Sequence, residues 1–212
     1  MKSLTPQQWH ELLVKFVCDE DDRPSLAKPF KQNGYICATD AHNLLRVDAK
    51  YIANADKYPK LESPDVERII PKSDPEFAIT VDALRAAFVN CGIDYDVAYT
   101  ECPYCDDGEV QWKFTDSDGD THTKWDDCPL CGGTGSLPNG FNKRLNIGKH
   151  QFPANPILML YSVMEALGID KAAVAVDTYP AYRFNIADGI DVLTVPVSED
   201  KISSPSITTS AI

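Results

Sequence analysis

The feature that most constrains this chain is a pair of Cys-Pro-x-Cys turns, "CPYC" at 102–105 and "CPLC" at 128–131, separated by 22 residues. A CxxC turn lets two thiolates converge while backbone N–H groups point at the sulfurs, and zinc takes four such ligands in a tetrahedron. The two pairs therefore offer one closed set, Cys102, Cys105, Cys128 and Cys131, for one structural zinc ion. Between them "EVQWKF" and "THTKW" read as two strands around a "DSDGD" tip, the layout of a zinc ribbon. Gly132 and Gly133 permit close backbone approach behind the second pair. A closed ion of this kind staples a module too short to fold by core burial, and it implies no catalysis.

Alone, CPYC resembles the active-site motif of glutaredoxins, in which one thiolate attacks a disulfide and the other resolves it. An attacking thiol needs a helix start or a cation behind it to lower its pKa. Here "DDGEV" follows Cys105 and supplies acids instead, and a second CxxC at ribbon distance has no redox explanation. Metal binding is the stronger reading and a thiol oxidoreductase the weaker one.

Other chemistry-bearing residues have plainer readings. Asp116, Asp118, Asp120 and Asp127 stand at EF-hand offsets, but Thr121 takes the glycine position and no Glu closes the loop, so an Asp-Gly turn is expected. His122 reads as a ribbon surface residue, and Cys18, Cys37 and Cys91 as buried thiols in apolar contexts. His42 and Asp40 share a turn with no nucleophile at a defined spacing, so no catalytic residue is assigned and a non-enzyme is expected.

Charge narrows the partners. The chain carries a formal −12, and residues 101–131 hold nine acids against Lys113 and Lys124, a net −7 on one segment. Phosphate contacts need clustered Lys and Arg, so this segment disfavours nucleic acid and favours a basic protein surface. No apolar run approaches a membrane span and the N-terminus lacks a signal-peptide core, so no membrane partner and a cytoplasmic, reducing location are expected.

Along the rest of the chain, "SLTPQQWHELLVKFVC" predicts a helix with Thr5 as N-cap, Pro6 at its first position and Gln8 completing a capping box. An acidic loop (19–22) follows. "GYICATD" and "NLLRVDA" predict a hairpin, and "VERIIP" a further strand. "TVDALRAAFVNCG" predicts a second helix capped by Thr80, and "NPILMLYSVMEALG" a third capped by Asn155 and stopped by Gly168. "AAVAVDT", "AYRFNIADG" and "DVLTVPV" predict an antiparallel meander with Tyr-Pro and Asp-Gly turns, and the polar residues 198–212 a flexible tail. No sustained repeat is visible.

Two resemblances sharpen this. "CPLCGGTG" is similar to the CxxCxGxG repeat of the DnaJ-type cysteine-rich zinc finger, whose zinc sites each use two CxxC pairs; after the first pair, Gly108 falls one position late. The remainder resembles a domain of the bacterial-type DNA sliding clamp (DNA polymerase III beta subunit). "ICATDAHNLLRVDA" is similar to its ATDGHRLA-type strand and turn, with Ala41 and Asn43 in place of Gly and Arg. "LNIGKHQFPANPILMLYSVMEALG" resembles its strand and Tyr-Leu-Leu-type helix, and "AVAVDTYPAYRFNIADGIDVLTVPV" its closing meander.

The resemblances imply an α+β fold, a clamp-like antiparallel sheet with packed helices, over 1–100 plus 143–197, with a zinc ribbon inserted at 101–142. They imply a non-enzymatic protein of DNA replication or a related DNA transaction that docks protein partners, the replication machinery among them. Clamp helices present basic residues to DNA. The third predicted helix has no Lys or Arg and the second only Arg85, which argues against DNA encirclement. DNA binding and a homo-oligomer stay open. The alternative is an acidic interaction or inhibitor protein that keeps the clamp fold without binding DNA.

Overall fold

A computed structural model describes residues 1–18, 23–62, 64–97, 99–177, 181–197 and 204–211. The expected acidic loop, the Tyr-Pro turn and the first part of the expected tail lie outside the described residues. Helix α1 (Pro6–Leu13) begins at its capping box: Thr5 Oγ1 accepts from the Gln8 N–H, and Gln8 Oε1 accepts from the Thr5 N–H at 2.9 Å. The chain then tightens into a 3-10 turn at Val14–Phe16, which buries Phe16. Strands β1 (Phe30–Gln32), β2 (Tyr35–Thr39) and β3 (Asn43–Asp48) form a meander. Next come β4 (Phe77–Thr80) and α2 (Val81–Asn90), the helix capped by Thr80 Oγ1 accepting from Ala83 N–H at 3.2 Å.

An excursion through β5 (Tyr99–Glu101), β6 (Glu109–Thr115), β7 (Thr121–Asp127) and β8 (Ser136–Pro138) follows. The chain continues through the hairpin β9 (Arg144–Ile147) and β10 (His150–Pro153), then α3 (Ala154–Leu167). A second meander, β11 (Lys171–Val176), β12 (Tyr182–Ala187) and β13 (Ile190–Thr194), precedes the short β14 (Ser206–Ile207).

The described elements make an α+β architecture of three α-helices and sheets that are antiparallel except where β14 joins β9. The main sheet has seven strands in the order β1-β2-β3-β13-β12-β11-β4, antiparallel at every step. A helix followed by a three-stranded meander occurs twice, α1 with β1–β3 and α3 with β11–β13, and the last strands of the two units pair at the sheet centre. This repeat is absent from the residue pattern because the two meanders share pairing and not side chains.

Period-two alternation divides the core. Ile36, Ala38, Leu45, Val47 and Val192 face the three helices, in a cluster that includes Trp9, Leu13, Phe88, Ile157 and Met164. Cys37, Leu44 and Leu193 face the other way, onto Leu26, Phe30, Val66 and Ile70. Both rims of the sheet are bonded within the chain. Lys31 of β1 donates to the Pro59 carbonyl and accepts from the Leu61 N–H, while Ala78 of β4 exchanges two backbone bonds with Ser210.

Three expectations are corrected. "VERIIP" is no strand: Asp65 accepts from the Glu67 N–H and winds Val66–Arg68 into a 3-10 turn that buries Val66. Helix α3 starts at Ala154, with Pro153 at the N-cap; Ala154 N–H donates to the Lys143 carbonyl, and the Asn155 side chain turns toward Met159. In the expected tail, residues 204–211 are docked. Ile207 is buried, β14 pairs parallel with β9, and Asn146 Nδ2 donates to the Ser204 carbonyl. Ile207 and the backbone bonds to Asn146 and Ala78 together hold the segment. Among the described residues no helix is long and apolar enough to cross a membrane.

Candidate metal centre

The excursion leaves and rejoins the body through the β5–β8 pair, where Tyr99 faces Pro138 and Glu101 faces Ser136. Asn139 ties this base down, its amide donating to the Asp94 and Val97 carbonyls. Lys143 Nζ donates to the carbonyls of Cys91 and Gly92 at 2.7 and 2.8 Å, fastening the exit to the end of α2. Beyond the base, β6 and β7 run as a regular ladder from Glu109↔Asp127 to Thr115↔Thr121. At the tip the Asp116 carboxylate accepts from the N–H groups of Asp118 and Asp120 and contacts His122 Nε2 at 2.6 Å. The His122 hydrogen bond, then those backbone bonds, hold Asp116 below the usual carboxylate range. This carboxylate organises a turn, as the Asp-Gly reading of "DSDGD" expects.

Between base and ladder the two cysteine turns meet. The sulfurs of Cys102, Cys105, Cys128 and Cys131 all lie within 4.8 Å of one another. Cys105 and Cys131 are 3.7 Å apart, far beyond a disulfide bond, and all four are free thiols. Four sulfurs at the usual Zn–S distance define a tetrahedron with an edge of about 3.8 Å, so the spacing suits a soft tetrahedral ion. Cys102 and Cys128 are buried with Leu137 beneath them, while Cys105 and Cys131 are half-buried. Among the described residues this is the one cluster of His, Cys, Asp or Glu able to hold a metal ion.

The glycines lock the two turns together. Cys128 N–H donates to the Gly108 carbonyl at 2.7 Å, and Cys102 N–H donates to the Gly135 carbonyl at 2.8 Å, so each turn is tied to a glycine of the other. Gly108 has φ +94°, and a Cβ there would overlap the Gly133 carbonyl. The glycine that falls one position late is therefore the one on which the second turn rests. Burial, with hydrogen bonds to neighbouring sulfurs, pushes the Cys105 thiol up to about 12. At Cys131 burial also raises the thiol, but the Gly135 N–H and the adjoining sulfurs outweigh it and bring it down to about 7. A divalent ion held among these sulfurs would supply positive charge that favours the thiolate form.

The remaining predicted residues stay apart from this cluster. His122 is exposed at the far end of the hairpin and stacks on Phe114 with ring centroids 5.3 Å apart. Cys37 is buried in the main sheet, where desolvation pushes its thiol up to about 12; Cys18 and Cys91 are half-buried. Asp40 accepts from the N–H groups of His42 and Asn43 and so shapes the β2–β3 turn. The feature that sequence reasoning missed is the aromatic surface of the hairpin. "VQWKF" alternates apolar and polar residues, a pattern that announces a half-buried strand, yet Trp112 and Phe114 are exposed.

No family model matches the sequence, and no curated protein matches it. Among solved structures, the DNA polymerase III subunit beta of Pseudomonas aeruginosa is similar, with a TM-score of 0.49 and 13% identity, covering 92% of this chain and 66% of that one. The DNA polymerase sliding clamp of Bacillus subtilis gives 0.47 and 13%, covering 92% and 64%. The DNA polymerase III beta subunit of Thermotoga maritima gives 0.47 and 11%, covering 93% and 65%. The chain thus spans just under two thirds of the length of each.

Proposed function

We propose that this chain is a non-enzymatic, sliding-clamp-like protein that acts in DNA replication or a related DNA transaction by docking other proteins. The acidic excursion would be a zinc ribbon carrying Cys102, Cys105, Cys128 and Cys131 as ligands of one structural zinc ion. The observation that carries the zinc assignment is the convergence of four sulfurs within 4.8 Å of one another, with no further His, Cys, Asp or Glu in the group among the described residues. When bound, the ion supplies charge and cross-linking. This chain's residues do the rest: Gly108 and Gly135 orient the two turns, and Leu137 packs with the buried Cys102 and Cys128. The clamp reading rests on the ordered motifs "ICATDAHNLLRVDA" and "DVLTVPV". Their strands, β3 and β13, are direct neighbours at the centre of one sheet.

One observation favours the second reading, an acidic interaction or inhibitor protein that keeps this fold without binding DNA. Arg85 is the sole basic residue of α2, and it is engaged by Glu165 at 2.9 Å and by the Tyr161 hydroxyl, so it offers phosphate little. Native mass spectrometry of the reduced protein separates the readings. A closed oligomer with one zinc per chain and salt-sensitive retention on duplex DNA is expected of an encircling clamp. A monomer with one zinc that ignores DNA is expected of the interaction or inhibitor form. Absence of zinc from either removes the metal assignment.

A further inference from the structure

We propose that the face of the cysteine hairpin bearing Tyr104, Trp112, Phe114 and Leu130 docks a basic segment of a partner protein, which seats an apolar side chain between Trp112 and Leu130. This rests on the reading of the acidic excursion as a protein-docking module, and it names the face and the chemistry that face selects.

Along β6, alternation puts Val110, Trp112 and Phe114 on one side and Gln111 and Lys113 on the other. Tyr104 and Leu130 each occupy the third position of a Cys-Pro-x-Cys turn, and they meet Val110 and Trp112 around a hollow of about 180 Å³. Tyr104 is 55% exposed, Trp112 53%, Phe114 54% and Leu130 45%. Hairpins often carry aromatic residues as cross-strand pairs that stabilise the ladder. That explanation fails for the tryptophans. Trp112 stands opposite Lys124, and Trp125, opposite Gln111, lies on the other face. Nor does the module need these rings as a core, because its buried centre consists of Cys102, Cys128 and Leu137. Exposed aromatic and aliphatic side chains gathered around a hollow mark a candidate interaction surface.

Charge selects the occupant. The patch belongs to a segment of net −7, and Lys124, directly opposite Trp112, is held by Asp126 at 2.8 Å. Bases of a single strand could stack on Trp112 and Phe114, but their phosphates would meet that negative field. A second copy would bring −7 against −7. A Lys- or Arg-rich protein segment with one apolar side chain satisfies both the field and the hollow.

The test is selection of a random phage-displayed peptide library on the full, reduced, zinc-loaded chain, followed by affinity measurements with the enriched peptides. Enriched sequences are expected to place Lys and Arg around a Leu, Ile, Phe or Trp. Trp112→Ser and Tyr104→Ser should each weaken binding by about tenfold or more, while Trp125→Ser on the opposite face leaves it unchanged. Equal metal content in the three variants shows that the module is intact. The proposal is overturned by neutral or acidic enriched peptides, or by equal losses from Trp112→Ser and Trp125→Ser. It is also overturned by oligothymidine binding, or self-association, that disappears with Trp112→Ser. Peptides lost with Asp118→Asn and Asp120→Asn but not with Trp112→Ser would keep the docking module and remove this face from it. Failure to enrich any peptide removes both.

Discussion

Two residues with positive φ show how much a single Cβ decides. Gly108 sits at φ +94° against the Gly133 carbonyl, so Gly108→Ala adds left-handed strain on the order of 1–3 kcal/mol and separates the two cysteine turns. A loss of metal affinity of about tenfold or more is expected, read by competition with a chromogenic chelator. Ala41 is the converse case, an alanine at φ +76° in the β2–β3 turn. Ala41→Gly, which restores the residue of the clamp pattern, should stabilise the protein by about 1 kcal/mol and raise Tm by a few degrees. An unchanged Tm would mean that the relief does not exceed the entropy glycine adds to the unfolded chain. The four cysteines that converge were legible in the sequence because CxxC spacing is short and local. The role of Gly108 was not, because its partner, Gly133, lies across the fold on the second turn.

At the level of elements, legibility followed local chemistry. The capping box of α1, the Thr80 cap of α2 and the Gly168 stop of α3 are written in adjacent residues, and each is present. The start of α3 was misplaced because its first N–H is satisfied by the Lys143 carbonyl, a partner remote in sequence. "VERIIP" has strand-like composition, but the Asp65 side chain supplies a local alternative for the backbone. The excursion is fastened to the body at β5–β8, where Glu101 and Ser136 are paired neighbours. Replacing residues 102–135 by Asn-Gly, a two-residue hairpin turn, should therefore leave a body that melts cooperatively within a few degrees of the parent. Loss of the cooperative transition in circular dichroism would show that the body depends on the module for folding.

For the whole molecule, the docked segment 204–211 joins two sheets, giving β14 to β9 and Ser210 to the rim of β4. Truncation after residue 203 uncovers the site of Ile207 and frees both bonds of Ala78. The truncated protein should lose stability and associate at concentrations where the parent does not, as measured by sedimentation velocity. Unchanged sedimentation would show that this rim needs no guard. The opposite rim is closed in the same manner by Pro59 and Leu61. Among the described residues the main-chain groups of Lys31 and Ala78 are thus satisfied in cis, so an added strand finds no vacancy at these two positions, and what another molecule reads there is surface chemistry.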